Sequence, residues 1–250
     1  WYENGNKSQE GVYSSGKQEG EWVWYYQSGI KKEKTVFKDG QQEGLWIQWF
    51  KDGTKKSERK FSDGERDSIW TSWYKNGNKK LQTSYDGGKL NGPWTSWYDN
   101  GIIKEKSGSY IDNKLDKKWT FWADNGQKTE ETSYDNGKKD GPHKIWNSDN
   151  FKVIDGSYKQ GEKDGEWHFL YDDGTKKRKE QYSSGRKDGN WIWYRPDGIK
   201  DREGYYKDDV KHGIWTTWNN ADHKKMEETF TNGSIDGRVT IWYENGAKDR

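Results

Sequence analysis

Three kinds of side chain in this 250-residue sequence could do chemistry: four histidines, 42 carboxylates, and a large stock of rings (18 Trp, 16 Tyr and 7 Phe). Acid–base or metal chemistry needs such groups to converge at set spacings. His143, His168, His212 and His223 are scattered instead. His143 stands where other parts of the chain carry a tryptophan, so it reads as a substitute ring. The carboxylates fall beside turn glycines or opposite lysines. Tyr171-Asp172-Asp173-Gly174 lacks the Asp-x-Asp-x-Asp-Gly order of a calcium loop. No Gly-x-Gly-x-x-Gly, phosphate loop or nucleophile elbow is present. Cysteine is absent, which excludes disulfides and thiolate metal sites. No catalytic residue, cofactor or metal is therefore expected.

The remaining chemistry is that of aromatic faces: stacking on glycans, gripping lipid headgroups, or burying a protein surface. Interleaved lysines and rings also suit single-stranded nucleic acid. Here each lysine cluster has an acidic neighbour, and 44 basic against 42 acidic residues leave a formal charge of +2. That balance supplies no field to gather a polyanion, so no nucleic-acid partner is expected.

The rings recur with a fixed period. A first aromatic stands every 24 residues at Trp22, Trp46, Trp70 and Trp94 and, after one inserted residue, at Trp119, Trp167, Trp191 and Trp215. His143 and Val239 fill the two remaining slots. Three residues after each comes a second aromatic: Trp1, Tyr25, Trp49, Trp73, Trp97, Trp122, Trp146, Tyr194, Trp218 and Trp242, with Leu170 as the exception. A third lies fifteen residues after the first, at Tyr13, Phe37, Phe61, Tyr85, Tyr134, Tyr158, Tyr182, Tyr206 and Phe230, with Tyr110 after the insertion. A period of this length marks a repeat architecture.

Each period carries two turn signals. One is Asn-Gly or Asp-Gly, as at Asp52-Gly53 and Asn76-Gly77, the sequence favoured by type I′ turns. The other is looser, as at Asp39-Gly40 and Ser184-Gly185. Between them lie short stretches rich in Trp, Tyr, Thr and Ile, or in Lys, Glu and Thr, which read as strands. Hydrophobic residues are only 28% of the chain, which suits a thin structure better than a thick aliphatic core. The expected fold is all-β: an elongated single-layer antiparallel meander of about ten tandem 24-residue hairpin repeats. Residues 1–250 are expected to form one continuous array that starts and ends within a repeat. Side-chain alternation puts Trp46 and Phe50 on one face and Ile47 and Trp49 on the other. The inserted residue is expected within Ser107-Gly108-Ser109, with an irregular unit at about residues 106–155, because an extra strand residue bulges a ladder. No apolar run is long enough for a transmembrane helix.

The pattern Gly-x-Trp-x-x-Trp-Tyr-x-Asn-Gly is plain at Gly92–Gly101, and Gly237–Gly246 follows it with Val239 in place of the first tryptophan. With the Lys-Lys and Tyr-x-x-Gly runs that follow it, it resembles the MORN repeat, specifically its bacterial variant, over essentially the whole chain. That resemblance implies consecutive hairpins in a twisted single sheet, a scaffolding or binding role, and no catalysis by the repeats. Bacterial proteins with this variant include surface, lipid-anchored and antitoxin-labelled examples. A weaker likeness to choline-binding cell-wall repeats rests on Trp24-Tyr25-Tyr26 alone, and their unit is shorter.

The resulting expectation is a non-enzymatic structural or interaction module that presents aromatic ladders for protein binding or self-assembly, as in a bacterial surface fibre or adhesin. A glycan- or lipid-headgroup-binding array and an antitoxin-like component are the alternatives. An extracellular or cell-surface setting is favoured over the cytoplasm. The first ladder (Trp22, Trp46, Trp70, Trp94, Trp119, Trp167, Trp191, Trp215) is expected to be the structural spine. The second (Trp49, Trp73, Trp97, Trp122, Trp146, Tyr194, Trp218, Trp242) is the candidate binding surface.

Overall fold

A computed structural model describes residues 1–249. Over the described residues the chain is all-β, a meander of 21 antiparallel strands that does not close, built from hairpins repeating about every 24 residues. Two compact units divide it, the first spanning Trp1–Gly126 and the second beginning at Gln127. The first runs from the strand Gln9–Ser14 to the strand Lys114–Trp122, and the second from Lys128–Asp135 to Ser234–Ile241.

The two turn signals form different turns, and their roles are the reverse of the sequence expectation. The looser signal makes the tight hairpin: Asp39 and Gly40 have φ of 52° and 84°, and Ser184 and Gly185 have 48° and 80°. Positive φ at both central residues is the type I′ requirement. At the Asp-Gly signal only the glycine is left-handed, with Gly53 at 88°. There Gly53 N–H donates to Phe50 O at 3.0 Å, Phe50 N–H donates to Thr54 O at 2.8 Å, and Asp52 Oδ1 accepts Thr54 N–H at 3.0 Å. This is a longer loop, a type I turn closed by a left-handed glycine. Phe50 therefore sits in a turn, not on the strand with Trp46.

The inserted residue also lies in such a loop. Tyr98 N–H reaches Ile103 O where Phe50 N–H reached Thr54 O, so the extra residue is accommodated by the turn, and Ile102 projects with 85% exposure. Ser107, Gly108 and Ser109 pair in register with Thr95, Trp94 and Pro93. A loop at a hairpin tip absorbs a residue without breaking the ladder, whereas a strand cannot.

Every tight hairpin instead carries a built-in bulge. Between strands Lys31–Lys38 and Gln41–Trp49, Val36 pairs with Glu43 and Lys34 with Ile47, so Gly44, Leu45 and Trp46 oppose the single Thr35. The bulge opens on a left-handed residue, here Gly44 at φ 71°. The same arrangement holds at Asp116/Thr120, within the stretch expected to be irregular. Its left-handed residue there is Lys117 (φ 60°), and Ser68 (φ 59°) fills the role in another hairpin.

The bulge drops the first aromatic onto the residue it opposes. Where that residue is glycine, the indole lies directly on it. A Cβ built on Gly11, Gly108, Gly156 or Gly204 would meet Trp22, Trp119, Trp167 or Trp215 at 2.2–2.3 Å. These four tryptophans are at most 5% exposed, and each indole N–H donates to a backbone carbonyl ten residues back, as Trp167 does to Ser157 O at 3.0 Å. Where the opposed residue is Thr35, Trp46 stays half-buried, and both its indole N–H and the Thr35 hydroxyl lack a partner. The spine is thus uneven: Trp46, Trp70 and Trp94 are only half-buried.

The first and third ladders share one face and interleave. In the first unit Phe61 lies between Trp46 (5.9 Å) and Trp70 (5.6 Å), and Trp70 meets Tyr85 at 4.4 Å. In the second unit Tyr206 lies between Trp191 (5.2 Å) and Trp215 (5.0 Å). Cations cover this layer: Arg59 lies 4.7 and 4.9 Å from the Trp46 and Trp70 rings, and Lys163 lies 4.4 Å from Trp167. Aromatic edges and cation stems stand in for the second layer that a sandwich would supply.

Candidate aromatic interaction surface

The second-ladder rings occupy the other face, which Ile47 and Trp49 share as alternation requires. Trp49, Trp73, Trp97, Trp122, Trp146, Tyr194, Trp218 and Trp242 are all half-buried. Each stands at or beside the end of its strand, and seven of the eight pair across with a lysine, as Trp49 does with Lys55 and Trp73 with Lys79.

A lysine from the preceding repeat reaches over each of seven rings in this row. Lys55 lies over Trp73 (5.3 Å), Lys79 over Trp97 (5.8 Å), Lys104 over Trp122 (5.9 Å) and, in the second unit, Lys128 over Trp146 (6.0 Å). Lys176 over Tyr194 (5.9 Å), Lys200 over Trp218 (5.2 Å) and Lys224 over Trp242 (5.7 Å) continue the row. Several of these lysines pair with an acid three residues on, as Lys55 does with Glu58 at 2.8 Å and Lys128 with Glu131 at 2.7 Å. Residues three apart on a plain strand face opposite ways. The register shift at Gln48/Trp49 brings Lys55 and Glu58 to one side. Each ring is worth roughly 0.5–1 kcal/mol to its cation at such exposed sites.

The tyrosine of the Trp-Tyr pair, to which the sequence reading gave no role, ties one repeat to the next. The hydroxyls of Tyr2, Tyr26, Tyr74, Tyr98 and Tyr171 donate to the carbonyls of Tyr25, Trp49, Trp97, Trp122 and Tyr194 at 2.6–2.9 Å. Arg195 does the same to Trp218 O and Asn219 O. The signal was available only in part: the position after the second aromatic is tyrosine at Tyr2, Tyr26, Tyr74, Tyr98, Tyr171 and Tyr243 but Phe50, Ala123, Asn147, Arg195 or Asn219 elsewhere.

The histidines do not converge. His143 takes its ring slot on the first-ladder face, 5% exposed, 5.7 Å from Trp167 and 5.4 Å from Tyr158. Its Nδ1 lies 2.7 Å from Thr132 Oγ1, whose hydroxyl also reaches Glu130 Oε1 at 2.7 Å. The grouping looks like a nucleophile with its base, but Thr132 is 0% exposed and no substrate can touch it. Burial, and then the Lys139 charge, push the His143 imidazole below its ordinary value despite Glu130. His168 pairs with Glu166 (3.4 Å) on the second-ladder face, and His223 Nδ1 sits 3.0 Å from Glu244 O. Among the described residues no three His, Asp or Glu side chains group to hold a metal, and no helix is long and apolar enough to cross a membrane.

Hairpins of fixed length, a bulge aiming an indole onto the sheet, and two aromatic faces define a β-hairpin repeat protein. The sequence profile described as the MORN repeat variant matches residues 18–39, 90–112, 115–136 and 187–208. The chain thus carries repeats of the MORN repeat variant family at four places along its length. No curated protein sequence matches it. Among solved structures, "Crystal Structure of TcdB2-TccC3" is similar at 10% identity and a TM-score of 0.17, over 96% of this chain and 18% of that one. The chain thus spans a small part of that structure's length, and a likeness at this level says nothing of function.

Proposed function

We propose that the chain is a non-enzymatic interaction module whose second-ladder face takes up a protein, either a partner or another copy of itself. The observation that carries this reading is the contrast between the two aromatic faces. Five first-ladder tryptophans (Trp22, Trp119, Trp167, Trp191 and Trp215) are at most 5% exposed, whereas every second-ladder ring meets solvent. The same outer side carries the bulge residues Leu45, Ile69 and Ile214, exposed by 49%, 57% and 61%. Half-buried rings held rigidly beside bare aliphatics, with cations around them, make the kind of surface that supplies interface anchors. Rigid rings also lose little conformational entropy on binding.

Site-specific photocrosslinking in the cells that make the protein tests this. A photoreactive residue at Ile69, four residues before Trp73 on the same strand, is expected to give discrete adducts; one at the exposed hairpin residue Asp86 is expected to give none. An adduct of twice the chain mass identifies self-association, and any other discrete mass a partner. Absence of adducts at Ile69, or the same adducts from both positions, overturns the reading.

A further inference from the structure

The second ladder breaks once, at Leu170, and the break changes what its surroundings can bind. Seven lysines at equivalent positions lie over a ring one repeat further on. Lys152 stands at the same position in the strand Lys152–Lys159, and the residue where its ring would be is Leu170. A hollow of about 520 Å³ opens there, lined by Lys152, His168, Leu170, Lys176, Ile192 and Tyr194 among others. That volume lies within the range of small-molecule sites. The floor is apolar, from Leu170 and Ile192, and the Tyr194 ring forms one wall.

A lysine at the border of the hollow also lacks the acid that six of the repeats place beside it. Lys7, Lys55, Lys128, Lys152, Lys200 and Lys224 each pair with an acid three residues on. For Lys176 the residue three on is Lys179, which turns to Glu166 instead. The hollow that lacks a ring is thus bordered by a lysine with no acid three residues on; Lys31, Lys79 and Lys104 share that lack, but only Lys176 stands beside a missing ring. Neither feature is required by the fold, since the neighbouring repeats have the usual residues at both places.

We propose that the hollow at Leu170 is a binding site for a small aryl carboxylate. The ligand's ring takes the missing indole's place under Lys152 and beside Tyr194, and its carboxylate turns to Lys176. Leu170 and Ile192 supply the apolar contact. This site lies within the second-ladder face, at its one gap, and does not depend on what the rest of that face engages.

The test is calorimetric titration of the full chain with 2-naphthoate. Cyclohexanecarboxylate serves as the anion without an aromatic ring, and 2-naphthalenemethanol as the ring without charge. One molecule of 2-naphthoate is expected to bind per chain, about tenfold more tightly than either analogue, the scale of one desolvated cation–ring or charge-assisted contact. Leu170→Trp restores the ladder and fills the hollow, so it is expected to abolish binding while leaving the melting temperature equal or higher. Lys176→Gln is expected to weaken 2-naphthoate toward the affinity of 2-naphthalenemethanol. No heat from 2-naphthoate at millimolar concentration, equal binding of the three probes, or undiminished binding by Leu170→Trp overturns the proposal. If Leu170→Trp does not fold, Lys176→Gln decides: unchanged 2-naphthoate affinity in it is equally fatal.

Discussion

Individual tryptophans in this chain are not equivalent, although the period makes them look so. Trp167 lies on Gly156, is 1% exposed and donates its indole N–H to Ser157 O, while Trp46 faces Thr35 and leaves its N–H unpaired. Trp167→Ala is therefore expected to cost about 3–5 kcal/mol, the range for a fully buried large aromatic. Trp46→Ala should cost only about 1–3 kcal/mol, because part of that ring already meets water. Urea unfolding of the two variants checks the order; equal losses would contradict it. His143 provides a residue-scale prediction in pH. Its imidazole is held neutral by burial and by Lys139, below the ordinary value of 6.5. A histidine with a lowered folded-state value binds its proton more readily when unfolded. Stability is thus intact above about pH 6.5 and is lost as the pH falls below it. The unfolding midpoint is expected to drop across that window in the native chain, and to drop less in His143→Phe. An identical pH profile for the two proteins would rule this out.

At the scale of the hairpin, the bulge organises everything else, and it is also what the sequence concealed. Period, strand order and the outward placement of Trp49 beside Ile47 were legible because they depend on spacing and on side-chain alternation. A three-against-one bulge breaks that alternation, so the partner eleven residues before each first aromatic was not. One trace of it was present: Gly11, Gly108, Gly156 and Gly204 stand eleven residues before Trp22, Trp119, Trp167 and Trp215, an unusual place for glycine inside a strand. The turn types were misassigned because Asn-Gly serves two geometries, and only backbone angles tell a type I′ hairpin from a type I loop with a left-handed glycine. The extra residue near position 100 was placed in the strand for want of a way to see that the loop could take it. The row of lysines over the second ladder was legible only in outline, since it depends on a register shift at each strand end. The bulge gives its own prediction. Lys117 holds φ 60° where most repeats have glycine, and a left-handed side-chain residue costs about 1–2 kcal/mol. Lys117→Gly should stabilise the chain by about 1 kcal/mol, read as a higher denaturant midpoint with an unchanged slope. A lower midpoint would show that the side chain contributes more than its backbone strain removes.

For the molecule as a whole, contacts run between neighbouring strands, so stability should be a sum over repeats and their immediate interfaces. Trp191 and Trp215 share Tyr206, at 5.2 and 5.0 Å, and Trp193 lies 5.9 Å from Trp215. Trp167 contacts a different set, His143, Tyr158 and Phe169. Alanine at Trp167 and Trp215 together should then cost the sum of the single losses within about 0.5 kcal/mol. Alanine at Trp191 and Trp215 should depart from the sum by more, because the two rings rest on one neighbour. A double-mutant cycle in urea measures both, and equal coupling in the two pairs would refute nearest-neighbour bookkeeping. Repeats of the MORN variant supply the scaffold; departures from the period, Leu170, His143 and Val239 among them, are where this chain differs from its own repeats.

The packed first-ladder face has an optical consequence. Trp22 and Trp24 lie 5.7 Å apart with planes inclined by 31°, Trp94 and Trp119 5.4 Å apart at 38°, and Trp191 and Trp193 5.6 Å apart at 41°. Indoles this close and this regularly inclined share their electronic excitations, so their absorption bands split into paired circular-dichroism signals of opposite sign. The amplitude of such a couplet depends on ring geometry and not on backbone hydrogen bonding. The chain therefore contains its own reporter of side-chain order, one that can be followed during melting or ligand addition without a label.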